Sequence, residues 1–468
     1  MGRRARRDVL SYFNEADRSR GRSIFFNVSP RWRRFRLWLP VAATLLLLGG
    51  AGFFIVTRGS SSPEAAPAAP AETPSATPVT APSVNAAGVL TCPDAVEVGW
   101  STFQGSPART GCVEARTIAN PKILWRADVG IQGWLNNPVI GGSRVFVGSA
   151  GQLQLTSDDG DGIYAVDLLR GEILWFIPAS ADVNGVGYAE GVVVATGDEG
   201  KVWALRALNG AELWSHSLDN PIFGNPLTVN GLVVVGDAGG NLYAYDLHTG
   251  ALEWQNHLEG AVRGGAASDG EVIYAVGEQR EVGAFAMDGT PIWRKRITGT
   301  GEKAEGIRIF AAPTVAEDVV AIPYIRDDTY PEPALLALDR STGAIRWRAS
   351  GPDIKTNWAN LRSSPAVLGD LLVFGEAYSN KLVAVGVDDG TAQWAADVGV
   401  HCFPHWPSPA IVGGQVLLPR HDGGLYAVDA ATGRTAWSIY LGEVGLLGEF
   451  PLDFDNEFCG WQPRTGWP

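Results

Sequence analysis

Histidine is scarce in this chain, with 6 among 468 residues, and charged side chains make up only 19%. There are four cysteines, no two adjacent, and no C-x-x-C-H spacing, which excludes a c-type haem attachment site. No Gly-rich phosphate loop, Gly-x-Ser-x-Gly elbow or His-Glu-x-x-His occurs, so the sequence carries none of the short signatures of a nucleotidase, a serine hydrolase or a zinc protease. His401 and His405 flank Cys402, but zinc takes three or four such ligands with a thiolate, and no second cluster supplies the rest. A disulfide with solvent-facing histidines is the expectation there. His216, His248, His257 and His421 are scattered and form no group.

What is abundant is glycine (58), proline (29) and tryptophan (17), with 46% hydrophobic residues. That balance excludes wholesale disorder and argues for many turns between large aromatics rather than a mostly helical protein.

The formal charge of −13 is unevenly spread. Residues 1–36 hold eleven arginines against Asp8, Glu15 and Asp17. The neighbouring residues 37–57 carry no charge and are bracketed by Arg36 and Arg58. As a helix they would rise about 31 Å, enough to cross a hydrocarbon core of about 30 Å. A cleaved signal peptide would have a shorter apolar region and a small-residue cleavage site. The expectation is a retained single-pass anchor with residues 1–36 inside, since positive charge stays cytoplasmic. The arginines then serve orientation and attraction to anionic headgroups, not nucleic acid. Residues 58–90 are rich in Pro, Ala, Ser and Thr, with Pro63, Pro67, Pro70, Pro74, Pro78 and Pro82 at intervals of three or four. Such a linker cannot bury a core and, at about 3.1 Å per residue, its thirty residues 59–88 reach up to roughly 90 Å. The expected organisation is a basic cytoplasmic segment (1–36), a transmembrane helix (37–57), a linker (58–90) and a folded domain (91–468). Arginine outnumbers lysine 31 to 6, which hints at a GC-rich bacterial genome.

The folded part is a repeat. An apolar strand with Ala is followed by a turn ending in Gly, and then by Trp four residues after the Gly. The Gly–Trp pairs are Gly171–Trp175, Gly210–Trp214, Gly250–Trp254, Gly289–Trp293, Gly343–Trp347, Gly390–Trp394 and Gly433–Trp437. Trp125 has the closing strand without the preceding hairpin. Successive Trp gaps are 50, 39, 40, 39, 54, 47 and 43 residues, the length of one propeller blade. Each repeat can supply four short strands, and one such sheet alone leaves two faces bare. Radial packing covers them. A buried Trp removes about 150–250 Å² from water, worth up to roughly 4–6 kcal/mol, so these tryptophans are read as structural wedges between blades.

The pattern A-x-D-x-x-x-G-x-x-x-W, together with the opening WSTFQGSPARTGCV (Trp100 to Val113), resembles the tryptophan-docking repeat of the pyrroloquinoline-quinone-type (PQQ-like) β-propeller superfamily over roughly residues 98–440. The motif Asp is kept at Asp167, Asp246, Asp339 and Asp429, and is replaced by Arg206, Ala286 and Gly386. Those three turns are expected to be less tightly hydrogen-bonded. The resemblance implies an all-β propeller, here of eight four-stranded blades, with seven as the alternative. Eight follows if Trp125 forms the outer strand of a blade whose inner strands come from the C-terminal tail.

The superfamily includes quinoprotein dehydrogenases, the lipoprotein scaffold of outer-membrane β-barrel assembly, and extracellular binding modules. The adjacent-cysteine disulfide of quinoprotein alcohol dehydrogenases is absent. The reading is therefore a non-catalytic protein- or ligand-binding scaffold of the bacterial cell envelope, on the extracytoplasmic side, with no cofactor expected. The alternatives are a PQQ- and calcium-dependent dehydrogenase and an envelope sensor. Trp134, Trp358 and Trp406 lie between repeats and are candidates for contact with a protein or glycan partner. Outside the membrane the cysteines are expected to be oxidised. Cys92–Cys112 and Cys402–Cys459 are the preferred pairs, and a bond from Cys92 or Cys112 to Cys459 is the alternative. The acidic runs Asp158-Asp159-Gly160-Asp161, Asp327-Asp328 and Asp453 to Glu457 match no twelve-residue calcium loop and are read as solvated loops.

Overall fold

The computed structural model describes residues 91–92, 100–131, 136–152, 155–298, 307–326, 335–350, 363–375, 381–399, 408–420 and 424–441. These residues form seven antiparallel sheets of four consecutive strands. Their first strands are Val139–Gly141, Val183–Ala189, Leu227–Val229, Ala266–Ser268, Thr314–Ala316, Ala366–Leu368 and Ala410–Val412. Their last strands are Ile173–Pro178, Glu212–Ser217, Leu252–His257, Pro291–Arg296, Ile345–Arg348, Ala392–Asp397 and Thr435–Tyr440. A short pair, Ile307–Arg308 with Ile325–Arg326, accompanies the fifth sheet.

Among the described residues the fold is thus an all-β propeller with seven four-stranded blades, not the eight expected, and the C-terminal tail that was to complete an eighth lies outside them. The eighth tryptophan, Trp125, lies in residues 114–131, which take part in no strand pairing. A Trp strand alone does not make a blade; the hairpin before it does. The anchor proposed for residues 37–57 lies outside the described residues, and among these no helix is long and apolar enough to cross a membrane.

The core is a series of shared faces rather than one centre. Val139, Phe146, Ile163 and Ala165 of the first sheet meet Val186, Val193 and Leu205 of the second, all buried. Ala337 and Trp347 of the fifth meet Leu372, Val383 and Val385 of the sixth in the same way. Strand alternation turns one side of each sheet to each neighbour.

The antiparallel order fixes two different ends. First-to-second and third-to-last turns lie on one end, the hairpin face. Second-to-third turns and the connections between sheets lie on the other, the loop face.

Candidate functional site

The repeated hairpin comes first, because it fixes everything else. Each tryptophan reaches into the following repeat and donates its indole N–H to the carbonyl of the residue after the motif Asp position. Trp125 donates to Leu168 (3.0 Å), Trp175 to Ala207 (3.1 Å), Trp214 to Leu247 (2.9 Å) and Trp254 to Met287 (2.9 Å). Trp293 donates to Arg340 (2.9 Å), Trp347 to Val387 (2.7 Å) and Trp394 to Ala430 (2.9 Å). Trp437, with no further hairpin ahead of it, donates to Ile118 (2.7 Å). Gly171, Gly210, Gly250, Gly289, Gly343, Gly390 and Gly433 all have φ of 68–83°. The left-handed turn lets the incoming indole lie against backbone.

Where the motif Asp is present it caps the turn: Asp167 accepts from the amides of Leu169 (3.0 Å) and Arg170 (2.8 Å). Asp339 accepts from the amide and hydroxyl of Thr342 and from Ser341, whose hydroxyls hold its carboxyl down to about 2. The three turns without the Asp are capped from later in the turn instead. There Asn209 accepts from Ala211 N–H, Asp288 from Thr290 N–H and Asp389 from Thr391 N–H.

The second element is the lead-in, residues 100–113, which the sequence marks only as a resemblance. It runs through the ring and meets all seven first strands or the residues entering them. The carbonyls of Trp100 and Ser101 accept from Ile140 N–H and Tyr188 N–H of the first two sheets, both at 2.7 Å. Those of Pro107, Ala108, Thr110 and Gly111 accept from Ser268 (2.8 Å), Val315 (2.9 Å), Val367 (2.7 Å) and Ile411 (2.6 Å) of the last four. The third sheet is reached through Pro226 O, which takes Thr102 Oγ1 (3.4 Å) and Arg109 Nη2 (3.3 Å). Cys112–Val113 then pairs parallel with Ala410–Val412. A first strand facing the axis would otherwise leave its amides unpaired. The lead-in is a plug that satisfies them.

Arg109 is its keystone. It is fully buried and faces no carboxylate among its recorded partners. Nε donates to Ala266 O (3.0 Å), and Nη1 donates to Phe103 O and Thr102 Oγ1 (both 2.8 Å). The guanidinium stands 5.3 Å over the Phe103 ring. Burial pulls its pKa down to about 9.

The third element is the polar collar where chain enters the first strands from the loop face. A carboxylate in the second-to-third turn holds the neighbouring connection. Asp198 Oδ1 accepts from Asn184 Nδ2 (2.5 Å), Asp237 Oδ2 from Asn220 Nδ2 (3.0 Å) and Glu278 Oε2 from Arg263 Nε (2.7 Å). Arg263 is 3% exposed and is stacked between Phe223 (4.9 Å) and Phe310 (5.2 Å). Asp182 accepts from Leu155 N–H (2.8 Å) and so ties the insertion after the second strand of the first sheet to the second sheet. Burial, with a smaller contribution from the Asp161 charge, raises Asp182 to about 7 and Asp198 to about 6.

Of the acidic run 158–161, expected to be a solvated loop, Asp159 is exposed but Asp161 is not. Asp161 is fully buried and accepts from Asp158 N–H (3.1 Å), while Asp158 accepts from Gln152 N–H and Gly160 N–H. No sequence pattern distinguished Asp182, Asp198, Arg263 or Arg109: Leu155, which Asp182 binds, Phe223 and Phe310, which flank Arg263, and Ala266, which Arg109 binds, lie in other repeats, and Asp198 and Asn184 meet only across their own sheet.

Cys92 and Cys112 form a buried disulfide, which excludes the alternative pairing of either with Cys459. Cys402, Cys459, His401, His405, Trp134, Trp358, Trp406, Asp327, Asp328 and the run from Asp453 to Glu457 lie outside the described residues. Among the described residues, one group of acidic side chains is close enough to share a cation: Glu317, Asp318 and Asp388. They are exposed on the hairpin face, and Asp318 is engaged by Arg346. A planar cofactor at the inner strands would have to share that space with residues 100–113, whose carbonyls are hydrogen-bonded there.

A family model described as outer membrane protein assembly factor BamB matches residues 160–262 and 239–401. An outer membrane protein assembly factor BamB from Yersinia pestis is 25% identical over 350 residues, covering 70% of this chain and 83% of the relative. The crystal structure of BamB from Moraxella catarrhalis is similar with a TM-score of 0.51 at 19% identity, over 65% of this chain and 87% of that one. Quinohemoprotein alcohol dehydrogenase from Comamonas testosteroni shares the fold with a TM-score of 0.55 at 16% identity, over 74% of this chain and 73% of that one. With the repeat and the family match in agreement, the chain belongs to the BamB family of PQQ-like β-propellers.

Proposed function

We propose that this protein is a non-catalytic scaffold of the bacterial cell envelope whose loop face binds a partner protein. The observation that carries the reading is the plug. A propeller that works on a small molecule needs room at its axis, and here residues 100–113 occupy the axis and spend their carbonyls on the first strands. What is left to offer a partner is surface. In the sequence Trp134, Trp358 and Trp406 stand shortly before the first strands of the first, sixth and seventh sheets, which the chain enters from the loop face. Relatives named as outer membrane protein assembly factors support a protein as the partner.

In this reading residues 37–57 anchor the chain, residues 1–36 stay inside, and the linker 58–90 holds the propeller on the extracytoplasmic side. Proximity labelling from the full-length protein in cells tests it. Trp134→Ala with Trp358→Ala and Trp406→Ala should lose labelled partners that the parent chain captures. Saturable binding of pyrroloquinoline quinone and calcium, with dye-linked alcohol oxidation, would replace the scaffold by the dehydrogenase.

A further inference from the structure

The tryptophan docks share one hydrogen bond and differ in what stands beside it. Two residues flank each bond: the one before the tryptophan and the one after the carbonyl that receives its N–H. Where Trp125 donates to Leu168 these are Leu124 and Leu169, and where Trp175 donates to Ala207 they are Leu174 and Leu208. All four are exposed, Leu124 by 83%, Leu169 by 77% and Leu208 by 65%. At no other dock among the described residues are both flanking residues Leu or Ile. The third dock has Leu213 and His248, the fourth Glu253 and Asp288, the sixth Arg346 and Asp388. The docking bond therefore does not require leucine at these places. Leu169 and Leu208 sit in third-to-last turns, so the leucine row lies at the hairpin face of the first two sheets. Leucines exposed side by side in this way mark a surface that binds something.

Cations stand between these leucines. Lys122 and Arg126 flank Leu124, Arg170 follows Leu169, and Arg206 precedes Leu208 by two residues; all four are exposed. Lys122, Arg126 and Arg206 form no ion pair among the described residues, and Arg170 is 3.7 Å from Asp167. Against them the stretches 122–126, 169–174 and 206–208 hold one acid, Glu172. Over the fifth and sixth sheets the same face carries the acidic group Glu317, Asp318 and Asp388. The described chain also begins at this face. Thr91 O accepts from Gly369 N–H (2.9 Å) in the first-to-second turn of the sixth sheet, and residues 1–90 precede it.

We infer that this row binds the surface of an anionic lipid bilayer: Leu124, Leu169, Leu174 and Leu208 enter the boundary between headgroups and acyl chains, and Lys122, Arg126, Arg170 and Arg206 meet lipid phosphates. The assignment rests on the envelope reading above. Exposed leucines interleaved with unpaired cations are what a headgroup boundary accepts, apolar bodies below and charge above. A second copy docked symmetrically would set the same unpaired cations against one another. The chain that carries the anchor in that reading enters the domain at this face. Bound so, the propeller rests on its first two sheets, keeps the acidic fifth and sixth sheets at the far side of the face, and turns its loop face away from the bilayer toward a partner.

The test reconstitutes the full chain in vesicles of phosphatidylethanolamine and phosphatidylglycerol doped with a phosphatidylglycerol that carries a diazirine near its glycerol. Illumination should leave lipid adducts on peptides covering residues 122–126, 168–174 and 206–213, and none on the loop-face turn 277–280. Added salt should weaken them. Leu169→Ser with Leu208→Ser should lose the adducts and leave the thermal melt unchanged, because both side chains are exposed. Adducts within residues 37–57 report the anchor separately. Hairpin-face adducts without those would remove the anchor and keep the lipid surface. Absence of hairpin-face adducts would overturn the surface whether or not residues 37–57 are labelled, as would adducts that survive the serine variant or a row cross-linked to a second chain instead of lipid.

Discussion

Trp347 lies so close to Gly390 of the next repeat that a Cβ on the glycine would sit 2.3 Å from the indole Cε3. The same indole donates to Val387 O, three residues before that glycine. One residue thus supplies wedge and latch to the neighbouring sheet, and the glycine is the surface that receives it.

Gly390→Ala should therefore cost far more than a backbone penalty. A glycine at positive φ loses about 1 kcal/mol on becoming alanine. Displacing the indole adds roughly 1–3 kcal/mol of overpacking. Gly414 is the control: its φ is +76° and nothing lies within 4 Å of its would-be Cβ. Urea melts should show a loss of about 3 kcal/mol for Gly390→Ala and about 1 kcal/mol for Gly414→Ala. Equal losses would refute the close docking.

Arg109→Met should destabilise by about 2–4 kcal/mol, because it strands the carbonyls of Ala266 and Phe103 in a dry site. Arg109→Lys cannot restore the three-way fork and should recover less than half of that loss. Hydrogen exchange at the first strands of the third and fourth sheets reads the effect. Exchange unchanged there would mean the plug does not depend on this side chain.

The pH dependence has a definite sign. Asp182 is 2% exposed, and its pKa is raised from 3.8 to about 7. The folded state therefore holds the proton more tightly than the unfolded chain. Stability from this group is full below about pH 4 and is lost as pH rises to 7, by on the order of 4 kcal/mol at most. Asp198, raised to about 6, acts in the same direction over a narrower range. Asp182→Asn keeps an acceptor for Leu155 N–H and removes the charge. It should be more stable than the parent at pH 8 and no more stable at pH 4. Thermal melts at the two pH values decide it, and equal shifts at both would refute the buried charge.

How much of this could be read from the chain itself depended on whether a contact repeats. The Gly-to-Trp spacing of four recurs in seven hairpins, so each copy confirms the others, and radial packing follows. Trp125 shows the limit. Its local sequence is that of any other Trp strand, and only the missing hairpin before it separates seven sheets from eight. Arg109 sits in Gly-Ser-Pro-Ala-Arg-Thr-Gly, a stretch that looks like an exposed turn. Its burial comes from Pro226 and Ala266, more than a hundred residues away. Asp182 and Asp198 were invisible for the same reason. Their pKa values depend on Asp161 and on burial between two sheets, which no local pattern records.

Removing the disulfide by Cys92→Ser with Cys112→Ser should lower stability by roughly 3 kcal/mol. It should also loosen the contact of Thr91 O with Gly369 N–H, which fixes residue 91 at the hairpin face. Melting with and without reductant measures the first effect, and proteolysis near residue 91 the second. A reductant-insensitive melt would show that the plug holds without its clip.

The plug also sets a timetable. Its residues leave the ribosome before any of the sheets they bind, and Gly111 cannot meet Ile411 until some three hundred residues later have been made. The earliest stretch of the domain thus completes its contacts last, and until it does the inner edges of the later sheets wait for a partner already made.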